Sequence, residues 1–251
     1  MQIYPLRLTA TDLARAPERE RVFYLQVSLI SNEVSILNKL AVLALKQPDG
    51  SQIKERAGSA VAMLMLRIMA GRIYEAHRFI SANYYHIRSE YSAVISLKAS
   101  DALTSINRYF GRKGNLVSAI RQKLAFHSDF EVLRRGLDHI EADDELVDYL
   151  AHENGNSLFW SGELLQLTSL RHLAGGAPMQ QTYATLTGDL LGLGLQVNDF
   201  AVGFVNAFYK RHFPEALSKL GEEVIEINDA QPLLESRLDF FFDLPGSEPP
   251  H

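Results

Sequence analysis

The chain of 251 residues has no cysteine and a single tryptophan. Without cysteine there is no disulfide framework, no thiolate nucleophile and no Cys-ligated zinc or iron–sulfur centre. Long hydrophobic runs are missing as well. The longest, "AVAMLML" from Ala60 to Leu66, is closed by Arg67, whereas a membrane span takes roughly 20 apolar residues. The opening "MQIYPLRLTATDLARAPERERV" lacks the charged start and apolar core of a signal peptide. A cytoplasmic protein with no membrane partner is the expectation. An excess of positive charge is absent too. The net charge is −5, so a generic nucleic-acid coat is excluded and any polyanion has to meet a local basic patch.

Familiar catalytic signatures are lacking. There is no Walker A loop and no H-E-x-x-H, and "GDLLGLGLQ" does not fit G-x-G-x-x-G. No helical pattern carries the Glu-x-x-His pair of di-iron bundles, and no G-x-S-x-G elbow occurs. Asp148 and His152 stand four apart, but two ligands do not make a metal site and a surface pair is the simpler reading. No metal and no cofactor are expected.

What is present is helical pattern. Apolar residues make up 47% of the chain, the globular norm. From about Pro17 to Lys46, Val22, Leu25, Leu29, Ile36, Leu40 and Leu43 recur near one face. "QPDGSQ" then predicts a turn. A second long helix from Gln52 past Phe79 completes an antiparallel hairpin. "SANYYHIRSEYSAVISLKASDALTSINRYF" is aromatic-rich and helical, with a break expected near Ser100. Asn115 can cap a helix opening at Leu116, and Ser128 or Asp129 the next, "FEVLRRGLDHI". "HENGNS" is a turn; "GELLQLTSLRHLAGG" reads as a helix with a glycine stop. The last long pattern runs from about Met179 to Tyr209. "EVIEI" suggests a short strand, and the final residues suggest disorder. The reading is an all-α helical bundle with a long N-terminal antiparallel hairpin, a single helical domain over 1–220 and an acidic extension over 221–251.

One stretch stands apart chemically. Between Ala102 and Ser128 there are Arg108, Arg112, Lys113, Arg121 and Lys123 and no acidic residue. A solvated helix face is the plain account of such a run. The functional account is a phosphate-binding patch, in which Arg supplies paired donors and Lys a point charge. Tyr109 and Phe110 lie inside it, suited either to stacking on unpaired bases or to a core.

Within that stretch "IRQKLAFH" resembles the Arg-x(4–6)-His signature of HEPN-domain proteins, all-α proteins of bacterial and archaeal defence and toxin–antitoxin systems. The helices ahead of it, with "RIMAGRIYEAHRFI", are similar to those preceding the motif in HEPN-like relatives. The resemblance covers roughly Arg21 to Leu173. It implies a metal-independent endoribonuclease, or a relative that has lost activity and acts as an RNA-binding or regulatory protein, with catalytic roles for Arg121 and His127. It also implies a dimeric site and, in a toxin–antitoxin setting, a neutralising protein partner. The residue after the arginine is often Asn, Asp or His in active members and is Gln122 here, so both branches stay open.

Two other Arg–His pairs have this spacing. Arg72–His77 lies mid-hairpin, where packing explains it, and Arg134–His139 is flanked by Asp138 and Glu141 as on a solvated face. For the middle pair, a straight helix turns about 100° per residue. Val117, Ile120 and Leu124 then form one apolar stripe, with Arg121 and His127 on opposite sides of it, about 120° apart. If that stripe packs on a second copy across a two-fold axis, both residues line the seam. His127 also falls near the expected helix C-terminus, where the dipole favours imidazolium. The chemistry expected is attack of an RNA 2′-hydroxyl on the adjacent phosphorus, with His127 as base and Arg121 at the developing charge. Arg108, Arg112, Lys113 and Lys123 are the backbone-binding candidates. The alternative is a non-catalytic helical homodimer with a structural or regulatory role.

Overall fold

The computed structural model describes residues 1–46, 50–152, 155–236 and 238–242. In chain order the elements are β1 (Gln2–Ile3), α1 (Ala10–Leu13), α2 (Glu18–Ala44), α3 (Gln52–Tyr84), α4 (Arg88–Tyr91) and α5 (Leu97–Phe110). There follow α6 (Leu116–Ile120), a π-helical turn (Arg121–Ala125), α7 (Phe130–Leu137), β2 (Asp148–Tyr149) and β3 (Leu158–Phe159). The chain ends with α8 (Trp160–Leu173), α9 (Met179–His212), α10 (Pro214–Ser218), β4 (Ile225–Glu226) and a 3-10 turn (Leu233–Glu235). The fold is all-α. Parts of the two foreseen turns (47–49 and 153–154) and the tail 243–251 lie outside the described residues.

Local signals account for many boundaries. Asn115 accepts a hydrogen bond from the Ser118 amide at 2.9 Å, and Asp129, not Ser128, caps α7 through the Val132 amide at 3.1 Å. Gly175 and Gly176 take φ of +74° and +80° after α8, and their amides return to the carbonyls of His172 and Arg171. "EVIEI" does contain a strand: Ile3 faces Ile225 in an antiparallel pair with β1. The break in the aromatic-rich region comes earlier than Ser100. Ser96 caps α5 through the Ala99 amide, so α4 and α5 are separate helices.

The chain forms two compact units. The first comprises Met1–Ile36, Glu75–Lys113 and Gly192–Glu235. Its centre is aromatic because α9 places Phe200, Phe204 and Phe208 four apart on one face, all buried. The Phe23 ring meets Phe204 edge-on at 4.7 Å and stacks on Phe79 at 5.5 Å. Ile30 and Val34 pack with Ala76. Numbers rise along α2 as they fall along α3, so the hairpin is antiparallel as expected. A Cβ on Gly203 would overlap the Ala99 side chain, which is why α5 and α9 meet at a glycine.

One charged group is buried here. The Glu20 carboxylate accepts from Tyr91 Oη at 2.6 Å, with His212 Nε2 at 2.7 Å and Arg211 Nε at 3.6 Å. Burial, then the hydrogen bond to Glu20, pushes the Tyr91 hydroxyl far above its ordinary range. Tyr91 therefore serves as a donor and not as an acid.

The second unit comprises Leu37–Tyr74, Gly114–Leu191 and Ser236–His251. Here α7 lies against α8 at Gly136, where a Cβ would overlap Ser169. Arg56 donates to Tyr149 Oη at 2.6 Å and to Glu145 at 2.7 Å, and its guanidinium sits 5.3 Å from the Trp160 ring centre. Ala57, Ala60 and Leu158 pack with Phe240 and Phe241.

One expectation changes at α2. The face it buries carries Phe23, Val27, Ile30 and Val34, whereas Val22, Leu25, Leu29 and Ile36 are exposed. The helix is apolar on two faces, and aromatic and β-branched partners claim the first. In addition, α2, α3 and α9 are each long and apolar enough to cross a bilayer by length and composition. No uninterrupted apolar run marks them, because a helical window tolerates a few polar residues.

Candidate functional site

The Arg–His segment begins as an ordinary capped helix and ends as something else. Val117, Ile120 and Leu124 are buried within the single chain. The stripe expected to form a two-fold seam is therefore core, and it anchors the segment. After Ile120 the helix widens to the π turn Arg121–Ala125, then stops. His127 lies two residues past it in the loop to α7, near the helix end as expected, while the 120° estimate for a straight helix does not apply. Such widened turns insert one extra residue and recur at functional sites.

Two contacts lay this turn on α3. The Arg121 guanidinium lies over the Tyr74 ring, 5.4 Å from its centre. One turn away, a Cβ on Gly71 would overlap the Phe126 ring, so only glycine leaves room for it. Asp129 locks the far end. Its carboxylate takes the Lys123 ammonium at 2.6 Å and the Val132 amide at 3.1 Å, while its own amide reaches the Lys123 carbonyl at 3.1 Å. The hydrogen bond from Lys123, followed by that from the Val132 amide, holds the Asp129 carboxyl below its usual range.

Between these anchors His127 is exposed and makes no side-chain hydrogen bond or ion pair among the described residues. It is not a packing histidine. A cation and an unengaged imidazole thus leave one short segment, the first held against an aromatic ring and the second open to solvent.

The other candidates divide. Arg108, Arg112 and Lys113 belong to the first unit and are exposed; the Arg112 guanidinium is 5.9 Å from the Tyr109 ring centre. Lys123 belongs to the second unit with Arg121 and His127, and it is paired with Asp129. Phe110 is not a base-stacking residue. It stacks on His77 with ring centres 4.2 Å apart and packs beside Ile106.

The remaining motif matches have structural explanations. Burial holds the His77 imidazole below its ordinary pKa, although a hydrogen bond with Asn107 opposes the shift, so that ring is a neutral packing group. Arg134 pairs with Glu131 at 2.7 Å and with Asp138 at 3.9 Å, a solvated ladder. Asp148 accepts from Ser161 Oγ at 2.7 Å from within a strand, not from a helix. Among the described residues no cluster of three or more His, Asp or Glu is placed to hold a metal ion.

Sequence reasoning missed the buried Glu20–Tyr91–His212 group and the support that Gly71 and Tyr74 give the turn. Both join residues far apart in the chain, so no local pattern signals them. Compared with models of known protein families, with curated proteins and with solved structures, the chain matches none.

Proposed function

We propose that the chain is a HEPN-like RNA-acting protein that cleaves single-stranded RNA without a metal ion, in the cytoplasm, in a defence or toxin–antitoxin setting with a neutralising protein partner. The observation that carries this reading is the π turn with the loop after it, which sets Arg121 on Tyr74 and leaves His127 open, in a stretch without acid from Ala102 to Ser128. In the step proposed, His127 takes the proton of the 2′-hydroxyl. The 2′-oxygen bonds to phosphorus, Arg121 faces the charge that builds on the phosphoryl oxygens, and the bond to the 5′-oxygen breaks. The leaving oxygen takes a proton from water, His127 returns its proton to solvent, and the products are a 2′,3′-cyclic phosphate and a 5′-hydroxyl. The test is cleavage of a labelled single-stranded RNA in EDTA by wild type and by His127→Ala.

Backbone binding is expected from Arg108, Arg112 and Lys113. Neutralising all three should flatten the slope of log K against log salt by about 2, at roughly 0.7 per contact on a single strand. Lys123→Ala should change it far less, because Lys123 already has Asp129. An unchanged slope in the triple variant removes the patch.

A second reading is favoured by α2. Val22, Leu25, Leu29 and Ile36 fall at a, d, a and a of a heptad, the narrow seam that a second helix covers. On this reading the protein is a homodimer through α2, with or without catalysis. Leu25→Glu with Leu29→Glu should then convert a dimer to a monomer in light scattering. A wild type that is monomeric at high micromolar concentration removes it.

A further inference from the structure

Two large rings flank His127 in solvent. Phe126 is 61% exposed and Phe130 is 79% exposed. Single exposed apolar residues are ordinary on a surface, but aromatic side chains carry most of the apolar area a fold can bury. Here two of them stand on either side of His127 in the sequence. Phe126 is held in place from behind. One edge of Phe126 fills the space that Gly71 leaves on α3. Phe130 opens α7, whose first turn Asp129 caps while tied to Lys123. A ring fixed by packing on one side and open on the other, as Phe126 is, loses little freedom when a flat partner arrives.

We propose that Phe126 and Phe130 form a stacking platform for unpaired nucleobases, placing the ribose and phosphate of a single strand beside His127. This rests on the reading of the chain as an RNA-acting protein. A base is favoured over a second copy of the chain as occupant because Arg121 and His127 share the segment with the rings, no acidic residue lies between Ala102 and Ser128, and the two carboxylates beside Phe130 are already paired, Asp129 with Lys123 and Glu131 with Arg134 and Arg135. The site then takes single strands and excludes duplexes, whose bases are already stacked. It is tolerant of sequence, since every base has a π face.

The test uses a fluorescent 2′-O-methyl oligoribonucleotide of ten residues, which lacks the attacking hydroxyl and cannot be cut. Wild type should bind it as a single strand and much more weakly as a duplex. Phe130→Ala and Phe126→Leu should each weaken single-strand binding about tenfold, with the slope of log K against log salt unchanged because no charge is lost. Phe130→Trp should restore affinity. Phe130 is so exposed that its replacement leaves the fold intact, which circular dichroism checks. If wild type binds the single strand and Phe130→Ala binds it equally well, the platform is wrong while the RNA reading stands. If wild type binds no RNA, both fall. If Phe130→Ala leaves affinity alone but turns a dimer into a monomer in light scattering, the rings cover a second copy and the platform is overturned.

Discussion

Alanine at His127 is expected to lower metal-independent RNA cleavage by about a hundredfold to ten-thousandfold, the range a positioned proton-transfer group supplies. Arg121→Ala should cost about a hundredfold to a thousandfold, as the loss of a charge-stabilising donor does. The two act in one step, so the double variant should be little worse than either single one. Folding should survive. His127 is exposed and makes no side-chain hydrogen bond or ion pair among the described residues, and Arg121 lies over the half-buried Tyr74 ring, a contact worth on the order of 1 kcal/mol. Arg121→Lys keeps the charge but loses the planar fork, and should rescue little. Cleavage that disappears in EDTA, or an RNA product ending in a 3′-hydroxyl, would sink the mechanism, since the attacking group proposed is the RNA's own 2′-oxygen. A well-folded wild type that cuts no RNA, but binds it through Arg108, Arg112 and Lys113, would leave an RNA-binding protein without catalysis. Gln122, where active members often carry Asn, Asp or His, would then be the first position to exchange.

The sequence was legible where the determinants are local. Asn115, Asp129, Ser96 and the Gly175–Gly176 pair act within a turn of where they stand, and the helix ends they set were foreseen within a few residues. Faces were harder to read. On α2, Val22, Leu25, Leu29 and Ile36 share one stripe and Phe23, Val27, Ile30 and Val34 share another, and a period of 3.6 cannot say which one the partners will cover. On α6 the opposite error arose: Val117, Ile120 and Leu124 were offered to a second copy, yet the chain buries them itself. The site was visible as a pair of residue types and invisible as a geometry. Its π turn inserts a residue that no propensity encodes; the contacts made after the chain has folded, Phe126 on Gly71 and Arg121 on Tyr74, hold it there. The same limit hid Glu20, whose partners Tyr91 and His212 come from α4 and α9.

The largest loss of stability is expected at Phe204. Its side chain is fully buried, with Phe23 and Tyr91 each 4.7 Å away between ring centres and Tyr84 at 6.1 Å. Phe204→Ala removes the ring around which these three are arranged. The transfer free energy of the lost atoms and the cavity left behind add, and the sum for a buried phenylalanine is about 3–5 kcal/mol. The upper half of that range is expected here, because rigid aromatic neighbours collapse into a void less readily than flexible aliphatic ones. Phe204→Leu keeps part of the volume and should cost less than half as much. Val202→Ala, two residues away on the exposed side of the same helix, should stay within about 0.5 kcal/mol. Urea unfolding followed by tyrosine absorbance reads the loss, since Tyr84, Tyr91 and Tyr209, three of the ten tyrosines, lie in this core. A cost below about 1 kcal/mol for Phe204→Ala would mean that the rings refill the space, and that the T-shaped contact with Phe23 does not organise the centre of the unit. A full-sized loss accompanied by an unchanged response of Tyr91 would separate the two: the ring would matter as volume, while the hydrogen bond from Tyr91 to buried Glu20 would hold that tyrosine in place without it.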